Sequence, residues 1–200
     1  MRHSPGWPQR RGRLPQVTSP GGLERAGRRV LAGRPLGWRH RRAGVVVLAS
    51  DIDEHAGVAA VWLARRPGSP GAAEETCQFE RVRGRWRYLG SGGGSARDLH
   101  LAGRPSAARA GPASMLTSMS GCTSRSRADR QAQRGDPSLA YVGWVASERF
   151  RASAEVQYVQ VGSRRVTVPE HGYVVVVWKA PAAPEPAMPP IAAARQDDPG

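Results

Sequence analysis

Residues 164–178, RRVTVPEHGYVVVVW, constrain this chain more than any other segment. Two runs rich in β-branched residues flank a Pro-Glu-His-Gly turn, and the second run closes on an aromatic. Valine packs well on a pleated surface and loses rotamer freedom in a helix, so the segment predicts strand, turn, strand. An apolar run as long as YVVVVW, without polar alternation, suits a central strand covered on both sides, or one with its second face near an interface.

Other segments repeat the pattern. VVVLAS and VAAVWLARR flank the polar DIDEHAG, predicting a hairpin with Gly57 in its turn, the first strand starting at Val45. TCQFERVRGRWRYL predicts a second hairpin around Gly84, with Cys77 and Phe79 on one face of the first strand and Trp86 and Tyr88 on one face of its partner. LAYVGWVASERF reads as a strand, and AEVQYVQVG alternates so that Ala154, Val156 and Tyr158 should be buried. Ile191 to Ala194 can return as an edge strand after the Pro/Ala stretch. About seven or eight short strands at this spacing predict an all-β fold, a single antiparallel β-sandwich of immunoglobulin-like architecture. Trp62, Trp86, Trp144 and Trp178 all fall in these strands and are read as core or rim fillers.

Composition sets the flanks. Residues 1–43 hold 11 arginines against a single acid, Glu24, and five prolines, so they predict a disordered Arg/Pro/Gly-rich arm or a stretch translated from an upstream start codon. The sandwich domain is expected over residues 44–180, with a flexible insert at about 90–137 that opens on GSGGGS. Residues 181–200 form the Pro/Ala-rich tail. The arm accounts for +10 of the formal +14 charge, which leaves +4 for the rest of the chain. Arg10, Arg11, Arg13, Arg28, Arg29, Arg39, Arg41 and Arg42 are therefore the candidate contacts for a polyanion such as nucleic acid. Lys179 is the sole lysine, however, and a GC-rich coding sequence produces arginine, alanine, glycine and proline without selection for binding.

No apolar run reaches the length that crosses a bilayer, so no integral membrane segment is expected. The chain as written reads as cytoplasmic, and as exported if its true start or a processing site lies elsewhere; RHRR followed by AGVVVLAS is the stretch closest to a short signal. Cys77 and Cys122 are the only cysteines. They fit one disulfide in an oxidising compartment or two free thiols, and the absence of an export signal favours thiols.

Nothing in the chain spells a reaction. Asp51, Asp53, Glu54 and His55 lack calcium-loop spacing and read as a polar hairpin tip. His171 beside Glu170, and His100 near Asp98, lack a second group fixed by sequence. No serine sits in G-x-S-x-G, the glycines lack phosphate-loop spacing, and the cysteines have no C-x-x-C neighbours. No catalytic residue, cofactor or metal site is expected. Ser124 to Arg127, Ser-Arg-Ser-Arg, has the chemistry to accept phosphate or touch RNA and reads equally as a solvated loop.

GWVAS, the alternating valines, RRVTVPEHGYVVVVWKAP and the closing IAAARQDDPG resemble the C-terminal half of small actinobacterial β-sandwich proteins of unassigned function. The resemblance spans roughly residues 140–200, through Gly143, Trp144, Gly172, Tyr173 and Trp178, and implies a fold and no activity. Such proteins commonly carry an export signal or membrane anchor where this chain has its arginine-rich arm. The expectation is a non-catalytic module that contacts another protein or an envelope component, with polyanion binding through the arm as the alternative.

Overall fold

The computed structural model describes residues 20–106, 115–136, 142–181 and 188–194. Its strands are β1 (Val45–Asp53), β2 (Val58–Arg65), β3 (Ala73–Val82), β4 (Arg85–Ser95), β5 (Leu116–Arg125), β6 (Trp144–Ala152), β7 (Tyr158–Val161), β8 (Arg164–Thr167), β9 (Tyr173–Ala180) and β10 (Ile191–Ala194). Three helices, α1 (Pro20–Leu31), α2 (Trp38–Arg42) and α3 (Arg127–Gly135), join them. All ladders are antiparallel, in sheets ordered β1-β2-β3-β4, β5-β6-β9 and β10-β7-β8. The body is all-β, as the β-branched runs predict.

The sheets lie in layers, and strand periodicity decides which residue faces which layer. On β2, Val58, Ala60, Trp62 and Ala64 join Val145, Val175 and Val177 in a core between the four-stranded sheet and β5-β6-β9. The alternate residues, Ala59, Val61 and Leu63, pack with Cys77, Phe79 and Ala26 under α1. β9 is divided in the same way, because Val174, Val176 and Trp178 share a core with Val159, Val161 and Val166 of the third sheet and with Val156 just before it. YVVVVW is thus buried on both faces, and each such valine contributes about 1.5–3 kcal/mol. Along the edges, β1 runs beside β9 and β4 beside β5.

Three expectations change. Composition predicts an arm without structure through residue 43; from residue 20 the chain instead forms α1 and α2, while residues 1–19 lie outside the described residues. Leu23, Ala26, Gly27, Val30 and Leu31 recur at helical spacing and lay one face on β2 and β3. That period is visible in the sequence but is outnumbered by the polar residues around it. An ideal Cβ on Gly27 would stand 2.6 Å from Phe79 Cζ, so the helix seats at a distance only glycine permits.

The flexible insert is the second. GSGGGS is the second half of β4, paired from Gly90↔Gln78 to Ser95↔Ala73. A Cβ on Gly93 would meet the Glu74 carbonyl at 2.1 Å, and one on Gly92 the Cys122 sulfur at 3.0 Å, so bare backbone lets β3 and β5 close in. β5 and α3 follow, and residues 107–114 and 137–141 lie outside the described residues.

The third is the face of β7. Val159 and Val161 are buried and Tyr158 only half so, because an irregular stretch before the strand resets the alternation begun at Val156. The turns follow their chemistry. Arg83 and Gly84 both take positive φ (51° and 73°), as a two-residue hairpin loop requires. Gly172 closes the Pro-Glu-His-Gly turn at φ 76°.

Candidate functional site

Charged side chains that an all-β protein would ordinarily expose are drawn between its sheets. Glu80 alternates with Phe79 on β3 and so faces away from the helix, into the space before β6 and β9. It is 2 % exposed. Its carboxylate accepts from Ser126 Oγ at 2.6 Å and from the backbone N–H groups of Arg127 at 2.8 Å and Ala128 at 3.1 Å. These are first-turn donors of α3 that have no intrahelical partner, so Glu80 is a built-in anion at that helix end. Lys179 Nζ stands 3.4 Å from Glu80 and 2.7 Å from Asp129. Burial pushes the Asp129 carboxyl up, but the Lys179 hydrogen bond and charge and the Gly143 N–H outweigh it and hold it below the usual range. Burial likewise pushes Lys179 down, and Asp129 and Glu80 reverse this and hold it above its usual value.

Two residues along the same face of β3, Gln78 donates to Ser147 Oγ and to the Cys122 carbonyl. Beyond it, Glu74 pairs with Arg149 at 2.6 Å and accepts from the Trp62 indole N–H at 3.0 Å. The Arg149 guanidinium lies 5.3 Å from the Trp62 ring centroid and also donates to Ser120 Oγ.

Asp51 and Arg164 make the most economical of these contacts. β9 is the last strand of its sheet, so it presents unpaired backbone groups toward β1. Asp51 accepts from Val177 N–H at 2.7 Å, and Arg164 donates to the carbonyl of the same residue. Asp51 and Arg164 pair at 2.5 Å. The ion pair stands in for a neighbouring strand at Val177. Burial raises the Asp51 carboxyl above its usual value in spite of the opposing hydrogen bond and charge of Arg164 and the Val177 N–H.

A second group of arginines holds loops. Arg104 donates to the carbonyls of Glu170, Ser153, Val156 and Val168, and Arg151 to those of His100 and Gly103. An isolated arginine in a loop, Arg104, or at a strand end, Arg151, gives no signal that would have marked it beforehand.

Among the residues singled out from sequence, Asp51 and Asp53 are brought together on Arg164, at 2.5 and 3.6 Å. Asp51 belongs to β1 and is buried rather than at the hairpin tip, whereas Asp53 accepts from Ala56 N–H in the turn and Glu54 pairs with Arg81. His171 Nδ1 accepts from Tyr173 N–H, and burial, with the charges of Arg151 and Arg104, lowers its pKa below the usual histidine value. His100 and Asp98 are exposed on a connecting loop. Ser126 is the buried N-cap of α3, so the Ser-Arg-Ser-Arg run is strand end and cap rather than free loop. Cys77 and Cys122 stand as free thiols, and burial raises the pKa of both. Among the described residues no group of three or more His, Cys, Asp or Glu side chains is placed to hold a metal ion, and no helix is long and apolar enough to cross a membrane.

The candidate polyanion contacts divide into two sets, with Arg10, Arg11 and Arg13 outside the described residues. Arg28 is occupied by Glu24 at 2.7 Å and the Trp86 carbonyl, and Arg29 by the Pro35 carbonyl. Arg39, Arg41 and Arg42 are exposed on α2, WRHRR, beside Trp38. His40 turns inward, its Nε2 3.1 Å from the Gly22 carbonyl, and so ties α2 to α1. No protein-family model, curated protein or solved structure matches the chain.

Proposed function

We propose that this protein is a non-catalytic β-sandwich module of immunoglobulin-like architecture that contacts another protein or a component of the cell envelope. The four-stranded sheet and β5-β6-β9, packed face to face over one core, supply the two-sheet body of that reading. The resemblance of residues 140–200 to small actinobacterial β-sandwich proteins points the same way. One observation carries it: the buried charges Asp51, Glu80 and Arg149 are each held by a partner from another element, so they serve cohesion between sheets. Chemical cross-linking in native extract tests the proposal, with a specific partner linked to the folded surface as the expected result. A turnover activity that Asp51→Asn or Glu80→Gln abolishes in a still-folded protein overturns it.

A second reading, polyanion binding through the arginine-rich N-terminal segment, is favoured by the exposure of Arg39, Arg41 and Arg42. Their side chains make no hydrogen bond or ion pair among the described residues, so their charge is free to neutralise phosphate or sulfate. Heparin binding that weakens steeply with salt is the expected result, and salt-independent retention ends this reading.

A further inference from the structure

We infer that α2 and the adjoining Arg66 form a binding surface for single-stranded nucleic acid, in which Trp38 stacks on a base and Arg39, Arg41, Arg42 and Arg66 neutralise phosphates. The inference rests on the polyanion reading and narrows it to one ligand class.

Trp38 is 60 % exposed, the most open of the large apolar side chains among the described residues. Its ring is not a rim filler of the kind formed by Trp86 and Trp144, which are half-buried in strands. The Arg39 guanidinium lies 5.6 Å from its centroid, so the open ring already has a cation beside it, the pairing that would accompany a stacked base. Arg66 joins the group because its backbone N–H donates to the Gly44 carbonyl at 2.8 Å. Its Cγ would be 2.9 Å from a Cβ on Gly44, so the side chain runs against the backbone just past α2.

The acid nearest in sequence does not cancel this charge, because Glu24 is paired with Arg28. Asp53 and Glu54 lie at the far end of the nine-residue β1, roughly 25 Å from the end that α2 adjoins. An open aromatic face among arginines is the combination by which single strands are held, since every base offers a π-face once it is unpaired. A duplex hides those faces. A bilayer surface requires an apolar helix face, and Trp38 is the only apolar residue of WRHRR.

The test is fluorescence anisotropy of a labelled oligothymidylate of roughly twenty nucleotides, titrated with full-length protein over a range of salt. Trp38→Ala is expected to weaken binding roughly 5- to 150-fold with little change in salt slope. The triple variant Arg39→Ala/Arg41→Ala/Arg42→Ala is expected to reduce the log–log salt slope by roughly 2. All three arginines are exposed, and near-UV circular dichroism checks that the fold is kept. Unchanged affinity in Trp38→Ala overturns the inference, as does loss of binding in Arg10→Ala/Arg11→Ala/Arg13→Ala with the α2 variants unaffected. If heparin binds as tightly as the oligonucleotide and is equally indifferent to Trp38, the polyanion reading stands and the inference falls. If neither probe binds, both fall. Equal or tighter binding to a duplex of the same length, or to anionic vesicles, also removes it.

Discussion

At the scale of single residues, the fold depends on ionisable side chains placed where an alternating strand would put apolar ones. Glu80 accepts three hydrogen bonds in a space almost closed to water, so its loss leaves the first turn of α3 and the Lys179 ammonium short of a partner. Glu80→Gln keeps the shape and removes the charge. It should lower stability to urea by about 3 kcal/mol, and an unchanged midpoint would show that a neutral acceptor serves these donors as well as the carboxylate. Lys179 and Asp129 define a pH window. The folded carboxyl of Asp129 lies below its unfolded value of 3.8, so its contribution is present above that pH and is lost as pH falls through the folded value. The folded Lys179 lies above 10.5, so its contribution is present below that pH and is lost as pH rises through the folded value. The stability difference between wild type and Lys179→Met should therefore form a plateau across neutral pH and narrow at both extremes. A difference independent of pH would assign the effect to packing of the lysine stem.

At the scale of elements, the glycine run of β4 separates what composition says from what geometry does. A Cβ on Gly93 collides with the Glu74 backbone, whereas one on Gly94 meets nothing within 4 Å. Gly93→Ala should cost about 1–3 kcal/mol in thermal or denaturant unfolding, and Gly94→Ala should be neutral or slightly stabilising. Two neutral substitutions would mean that the segment behaves as the linker its composition suggests. The hairpins and β9 were legible in the sequence because side-chain periodicity and turn residues act over a few positions. GSGGGS was not, because its reason for being a strand is the approach of Glu74 and Cys122, which are distant in sequence. The α1 stripe, Leu23 to Leu31, was legible in principle and was hidden by its arginines. The polar residues between the layers were illegible for a different reason: Glu80 beside Phe79 is what an ordinary half-wet strand also shows. No local pattern revealed that a second sheet covers that face.

At the scale of the whole molecule, β9 is shared by two cores. Val175 faces the four-stranded sheet and Val174 the third sheet, and both are at most 1 % exposed. Val174→Ala and Val175→Ala should each lower stability by about 2 kcal/mol. A two-layer protein would register one and be nearly indifferent to the other, so equal losses in calorimetry are the signature of the stacked arrangement. The contact of Asp51 and Arg164 with Val177 has a further meaning for the fate of the chain in solution. YVVVVW has the composition from which cross-β fibrils grow: β-branched, uncharged and free of proline. A fibril adds strands through unoccupied edge groups, and at Val177 both backbone groups are already claimed by an ion pair from other parts of the chain. Assembly through the Val177 edge therefore requires Asp51 on β1 and Arg164 on β8 to let go first.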